Sequence, residues 1–230
     1  MRGLDTLSLT HGDYRITPSE RVRNWTDHLG DLLSGDTEAF EQAEYHVYDV
    51  EREAGETVLE VYQRTETDHI DLGISIPAQR DVSVFKTPDG AARFTVRSSL
   101  VTGWVGSFTL TDPTSGETLA KMDKSGLVRR RLQLEDPSGR VQATVEPERS
   151  LGTLTSSTSE FTLRGANGEE LAALTLGRVG GELTAAGLRE MEVSTTPGPI
   201  PPEMVLAYAF AVFQNQTEDS ATHAADGDID

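Results

Sequence analysis

The chain has no cysteine among its 230 residues. That excludes disulfides, thiol chemistry and a cysteine zinc site. Lysine is almost missing: Lys86, Lys121 and Lys124 stand against 17 arginines. Basic residues as a whole are outnumbered, and the 38 acids leave a net charge of −18. General nucleic-acid binding needs Lys and Arg to neutralise phosphates, so this balance argues against it. No apolar run approaches the roughly 20 residues of a membrane-spanning helix. Met1-Arg2-Gly3-Leu4-Asp5 has none of the apolar character of a signal segment. The expected location is the cytoplasm, with a peripheral place at a membrane if the ligand is a lipid.

An acid excess with so little lysine looks like the surface of a halophilic, haloarchaeal-type protein. At molar salt the Debye length shrinks to about 3 Å, so dense negative charge is tolerated. The acidity then reads as solvation of the surface and not as a ligand site.

Against this polar background one stretch is wholly apolar. Met204 to Phe213 carries ten residues without a charge or strong polar group. Pro201-Pro202-Glu203 in front suits the first turn of a helix. Leu206, Phe210 and Phe213 share one helical face, Val205, Tyr208 and Val212 a second, and Ala207 and Ala211 a third. A helix that is apolar all round must be enclosed on every side. The rest of the chain must supply the enclosure.

From Tyr45 the hydrophobic period is two, and a pattern of strand, glycine turn and returning strand repeats. It pairs 45–49 with 58–62, 82–85 with 93–96, 107–112 with 119–122, 132–136 with 141–145, and 161–164 with 171–176. Asp112-Pro113-Thr114-Ser115-Gly116 and Asp136-Pro137-Ser138-Gly139 are variants of one turn. The aspartate bonds the backbone, proline sets φ and glycine takes the positive-φ site. A weaker sixth hairpin pairs 182–185 with 191–194, giving about 12 strands. An antiparallel set of that size curls into a barrel or a sandwich. A barrel of about eight strands is filled by its own side chains, and a wider one needs a filling. The apolar helix fits that need.

The ends read differently. Residues 1–16 carry at most a short extended piece. Thr17-Pro18-Ser19-Glu20 matches a helix start, and Val22, Trp25, Leu29, Leu32 and Leu33 follow at helical spacing. An amphipathic helix is expected at about 18–34, within an N-terminal extension of 1–44. The barrel with its central helix (202–215) is assigned to 45–216. Residues 217–230 read by composition as a disordered acidic tail.

Repeated hairpins of this kind, followed by one apolar C-terminal helix, resemble the tubby C-terminal-like superfamily. That group includes tubby proteins, phospholipid scramblases and LURP-one-related proteins. The residues that carry the likeness are Phe108–Met122, Leu132–Val145, Phe161–Leu176 and Met204–Phe213, and the local style is nearest to LURP-one-related proteins. The resemblance implies a mainly β fold, a 12-stranded closed antiparallel barrel around a buried hydrophobic helix. Leu206, Tyr208, Phe210 and Phe213 would be its core. It also implies a binding role, since tubby domains take phosphoinositide head groups in a basic pocket. Scramblase activity does not carry over: the cysteine-rich palmitoylation stretch, the proline-rich N-terminal region and the acidic calcium loop are missing.

Two clusters stand out as site candidates. Lys121, Lys124, Arg129, Arg130 and Arg131 put five cations in eleven residues, opposed only by Asp123. Guanidiniums and ammoniums suit a phosphate or phospholipid head group. The plainer reading is a solvated strand face paired with Glu117, Glu135 or Asp136. Glu66, Asp68, His69 and Asp71 hold potential metal ligands, but no spacing matches a known cage. They read more simply as a polar connection over 65–72. His11, His28, His46, His69 and His223 are scattered, and no nucleophile and base stand together. Ser156–Ser159 lacks a nucleophile elbow. Gly177-Arg178-Val179-Gly180-Gly181 lacks the ending of a phosphate loop. Trp104 reads as core.

The expected function is a non-enzymatic binding module of tubby or LURP-one-related type, without cofactor, taking anionic phospholipid or a similar anion. The alternative is a structural or interaction protein whose barrel loops contact a protein partner.

Overall fold

The computed structural model describes residues 9–19, 44–52, 54–71, 75–98, 107–125, 131–147, 159–178 and 189–225. Twelve strands alternate with turns along the chain: β1 (Asp13–Pro18), β2 (Tyr45–Arg52), β3 (Thr57–Asp71), β4 (Ser75–Lys86), β5 (Ala92–Ser98) and β6 (Phe108–Thr111). They continue as β7 (Thr118–Ser125), β8 (Arg131–Glu135), β9 (Val141–Pro147), β10 (Ser159–Gly165), β11 (Glu170–Arg178) and β12 (Arg189–Thr195). Each is antiparallel to its sequence neighbour, and β1 pairs with β12, so the sheet is a closed barrel. Closure leaves no exposed sheet edge.

Register carries the apolar pattern around the wall. Ile16 lies opposite Val50, Val50 opposite Leu59, Val61 opposite Phe85 and Phe85 opposite Phe94. Val96 then meets Leu110, Phe108 meets Met122, and Met122 meets Leu134. On the far side Leu163 meets Val145, Leu174 meets Val193, and Met191 meets Ile16. Strand alternation sends all of these to one face. All are buried in one core.

The helix α1 (Pro202–Ala225) fills that core. Met204 through Phe213 are all buried, and Leu206, Ala207, Tyr208, Ala209, Phe210 and Ala211 are 0% exposed. Phe210 stands edge-on to Phe85 at 5.1 Å and to Tyr48 at 5.7 Å, which ties the helix to β4 and β2. Full burial of each such side chain stabilises by roughly 1.5–3 kcal/mol. A buried hydroxyl needs a partner, and the Tyr208 hydroxyl donates to the Leu132 carbonyl. Leu132 precedes the first residue of β8 that pairs with β9, which is Gln133. Burial raises the Tyr208 phenol far above its ordinary value.

The predicted turns form as their chemistry dictates. Asp112 Oδ1 accepts from the backbone N–H of Thr114 and Ser115, and Asp136 Oδ1 from Ser138 and Arg140. Gly116 and Gly139 close these turns at φ 71° and 83°.

The structure differs from the sequence expectations at both ends. Residues 13–18 are not outside the barrel: β1 is the strand that closes it, pairing with β2 and β12. The domain therefore begins well before Tyr45. Thr17 and Pro18 end β1 in place of starting a helix, and Ser19 donates its N–H to Val47. Proline is tolerated at a strand end because the ladder there does not need its missing donor. The remainder of the expected 18–34 helix lies outside the described residues. Of the weak sixth hairpin, 182–185 also lies outside them, while β12 pairs with β11 and β1.

At the other end α1 continues to Ala225, past the expected start of the tail at 217. Once nucleated, a helix adds residues at little cost, and Gln, Glu and Ala are good formers. Among the described residues no helix is long and apolar enough to cross a membrane.

Candidate anion-binding site

The acidic–imidazole stretch is not a connection but the far half of β3, which pairs residue by residue with β4 from Glu60↔Lys86 to Asp71↔Ser75. Alternation puts positions 66 and 68 on one row of the strand and 69 and 71 on the other. Glu66 accepts from Arg64 Nε at 3.1 Å and Nη2 at 2.9 Å, so its carboxylate already has a cation. Among the described residues no group of three or more His, Asp or Glu side chains is placed to hold a metal.

The basic stretch is likewise divided by the strands. Arg129 and Arg130 lie outside the described residues. Lys121 is exposed on the outer wall, in register with Thr109 of β6 and Glu135 of β8. Position 131 opposes Ser125, on the same outer row as Lys121. Position 124 opposes Leu132, on the row whose members Met122 and Leu134 are buried. Positions 121 and 124 thus fall on opposite rows of β7.

Register joins Lys121 to a different set. Arg64 lies opposite Val82, Val82 opposite Arg97, Arg97 opposite Thr109, and Thr109 opposite Lys121. One outer row across five strands therefore carries Arg64, Arg97 and Lys121. Adjacent strands lie about 4.8 Å apart, so Arg97 and Lys121 are separated by about 10 Å across the wall. Lys86 stands on the same outer face, further along β4. A cavity of about 340 Å³ opens there, lined by Arg64, Lys86 and Arg97, with Glu44 and Asp112 at its sides.

The electrostatics of this cavity are specific. Glu44 sits one residue before β2. Its Oε1 accepts from Arg64 Nη1 at 2.6 Å and its Oε2 from Lys86 Nζ at 2.5 Å. Lys86, with Arg64 behind it, holds the Glu44 carboxyl below its ordinary value. Lys86 Nζ also rests 4.3 Å from the centre of the Tyr62 ring. His46 stacks on that ring at 5.1 Å, and Tyr62 donates to Glu60 at 2.9 Å. Arg97 is the least engaged cation: its approach to Glu66 is 4.0 Å, and its Nε finds no acceptor among the described residues. Arg64 and Lys86 keep 31% and 23% of their side chains exposed, which screens the pairs less than on open surface.

Sequence reasoning missed Arg64, Lys86, Arg97 and Glu44 because each stands alone in its own segment. Only the pairing of β3, β4 and β5 brings the cations together. The turn at Gly90 gives the hairpin but not this register: counting back from it puts Val96 opposite Val82, and the bulge between Phe85 and Lys86 brings Arg97 there instead.

Comparison with protein-family models, with curated proteins and with solved structures finds no match for the chain.

Proposed function

We propose that the protein is a non-enzymatic binding module that takes a phosphate-bearing anion on the outer wall of its barrel. The site is the cavity lined by Arg64, Lys86 and Arg97, with Lys121 at the end of the same row. The observation that carries this reading is the bridge from Arg64 to Lys86. One carboxylate, Glu44, lies with an oxygen on each cation, so the two cations already converge on an anion. Phosphate oxygens suit the same guanidinium–ammonium pair. The cluster is also unusual for its setting, since the net charge of the chain is −18. A membrane head group of this chemistry would place the protein at an anionic bilayer surface, as the tubby-like resemblance implies.

The test separates the lipid from the free ligand. Flotation is run with phosphatidylcholine vesicles containing or lacking a phosphatidylinositol phosphate, and calorimetry with soluble inositol trisphosphate. Both should show binding that Arg64→Ala/Arg97→Ala weakens more than about tenfold, the scale of losing charge-assisted bonds. Soluble ligand binding without flotation would assign a free anion. Binding that ignores both substitutions, or none at all, overturns the reading.

A second reading has its own observation. Glu44 and Glu66 already pair with Arg64, Lys86 and Arg97. A self-satisfied ion-pair network is what a purely structural or protein-contacting wall would carry.

A further inference from the structure

Compared with Glu66, whose second cation, Arg97, stands 4.0 Å away, Glu44 is held closely. Both of its oxygens are occupied, one by a guanidinium and one by an ammonium. No second cation need be brought in for an incoming anion: the position between Arg64 and Lys86 is already built, and it is filled. Glu44 also stands outside the strand ladder. The β2–β3 pairing begins at Tyr45↔Gln63, so moving residue 44 breaks no ladder hydrogen bond. Lys86, by contrast, is paired on both sides, to Glu60 and to Ala92, and Arg64 is held in the ladder by its pairing with Val82.

We infer that Glu44 is a resident competitor for the anion site, whose carboxylate must leave Arg64 and Lys86 before a phosphate group can take its place. This rests on the anion-binding reading above. The exchange is of one anion for another and makes no covalent bond. Two phosphate oxygens replace Oε1 and Oε2 on the same two cations, and the carboxylate moves toward solvent. Glu66 stays on Arg64 Nε and Nη2, the side that Glu44 does not use. Arg97, whose Nε has no acceptor among the described residues, supplies a contact that the phosphate gains and Glu44 does not make. Two effects follow. Affinity is set lower than the three cations alone would give, and weak anions such as acetate are excluded because they offer nothing that Glu44 lacks.

The measurement is calorimetric titration of the full chain with inositol trisphosphate. Glu44→Gln removes the competing charge and keeps the side-chain volume. It should tighten binding by about tenfold, the scale of deleting one like charge at contact distance in a partly exposed site. Glu44→Asp keeps the charge but shortens its reach, and should tighten binding by less. A second readout does not depend on affinity. Lys86 is one of three lysines, so its acylation by a neutral reagent can be followed by mass spectrometry. Lys86 should react faster in Glu44→Gln, and inositol trisphosphate should protect it. Unchanged or weaker binding in Glu44→Gln, with Arg64→Ala/Arg97→Ala still abolishing it, overturns the competitor and leaves the site. Absence of binding in every form overturns the site and the competitor together.

Discussion

The inner and outer faces of this barrel wall are built from the same strands and obey opposite rules. Along β3, Leu59 and Val61 point to α1 and are 0% exposed, while Glu60, Tyr62, Arg64 and Glu66 point outward and are partly exposed. Inside, most positions are fixed by packing, and the register pairs apolar with apolar around most of the wall, interrupted where Gln63 and Ser83 meet Val96. Outside, many positions are partly exposed and freer to vary, although Val82, Val84 and Thr95 on that face are buried too. A site on the outer wall therefore needs no change to the core. The difference teaches where each kind of residue can be altered: within the wall for stability, upon it for binding.

The inner face offers the largest effect. Phe210→Asp would set an unpaired carboxylate among Phe85, Tyr48 and Phe213. Desolvating one such charge costs several kcal/mol, against a total stability of roughly 5–15 kcal/mol. The variant should fail to fold, with the β signature lost from its circular dichroism. A soluble, fully β Phe210→Asp protein would mean that the wall stands without its filling.

How much of this could be read before the structure divides along the same line. The inner face was legible. Its period of two, its Asp-Pro turns and the all-apolar run at 204–213 are local signals, and together they call for twelve strands around a helix. What stayed hidden was long-range. Nothing local in residues 13–18 shows that they close the barrel, because their partner β12 lies at 189–195, and Thr17-Pro18-Ser19-Glu20 satisfies the local rule for a helix start. The proposed anion site was hidden for the same reason. Lys121 was noticed because it stands in a dense run, whereas Arg64, Lys86 and Arg97 converge only through register. Within the strongest run of cations in the sequence, strand alternation puts positions 121 and 124 on opposite rows, whereas Arg64 and Arg97 share an outer row though each is isolated in sequence.

Two carboxylates carry the comparison to pH. Glu203, in the first turn of α1, is buried and accepts from the Leu9 N–H at 3.3 Å. Burial raises its carboxyl above the ordinary 4.5. Glu44, on the outer wall, is held below it by Lys86 and Arg64. The signs are opposite. The contribution of Glu203 is full below pH 4.5 and is lost as pH rises through its raised folded value. That of Glu44 is present above pH 4.5 and is lost as pH falls through its lowered folded value. Thermal midpoints recorded between about pH 3 and about pH 8 should separate them. Glu203→Gln should gain on the parent protein toward neutral pH, and Glu44→Gln should lose on it there. A Glu203→Gln curve parallel to the parent curve would show that this end of the helix is wet.

The smallest effect belongs to the outer face at the seam. Arg15 of β1 and Glu192 of β12 form an ion pair at 3.0 Å across the strands that close the barrel, with 51% and 56% of their side chains exposed. Its location at the closure invites the idea that it holds the barrel shut. Its exposure argues otherwise, since such pairs are worth roughly 0–1 kcal/mol and are screened by salt. Tyr14 and Ile16, on the inner row of the same strand, are buried against Val193 and Met191 and close the seam by packing. Arg15→Ala should thus lower stability by less than about 1 kcal/mol in chemical denaturation, and by nothing measurable in molar salt. A loss several times larger would mean that outer ion pairs are structural in this protein. It would then favour reading the Arg64–Glu44–Lys86 bridge as part of the wall and not as a site.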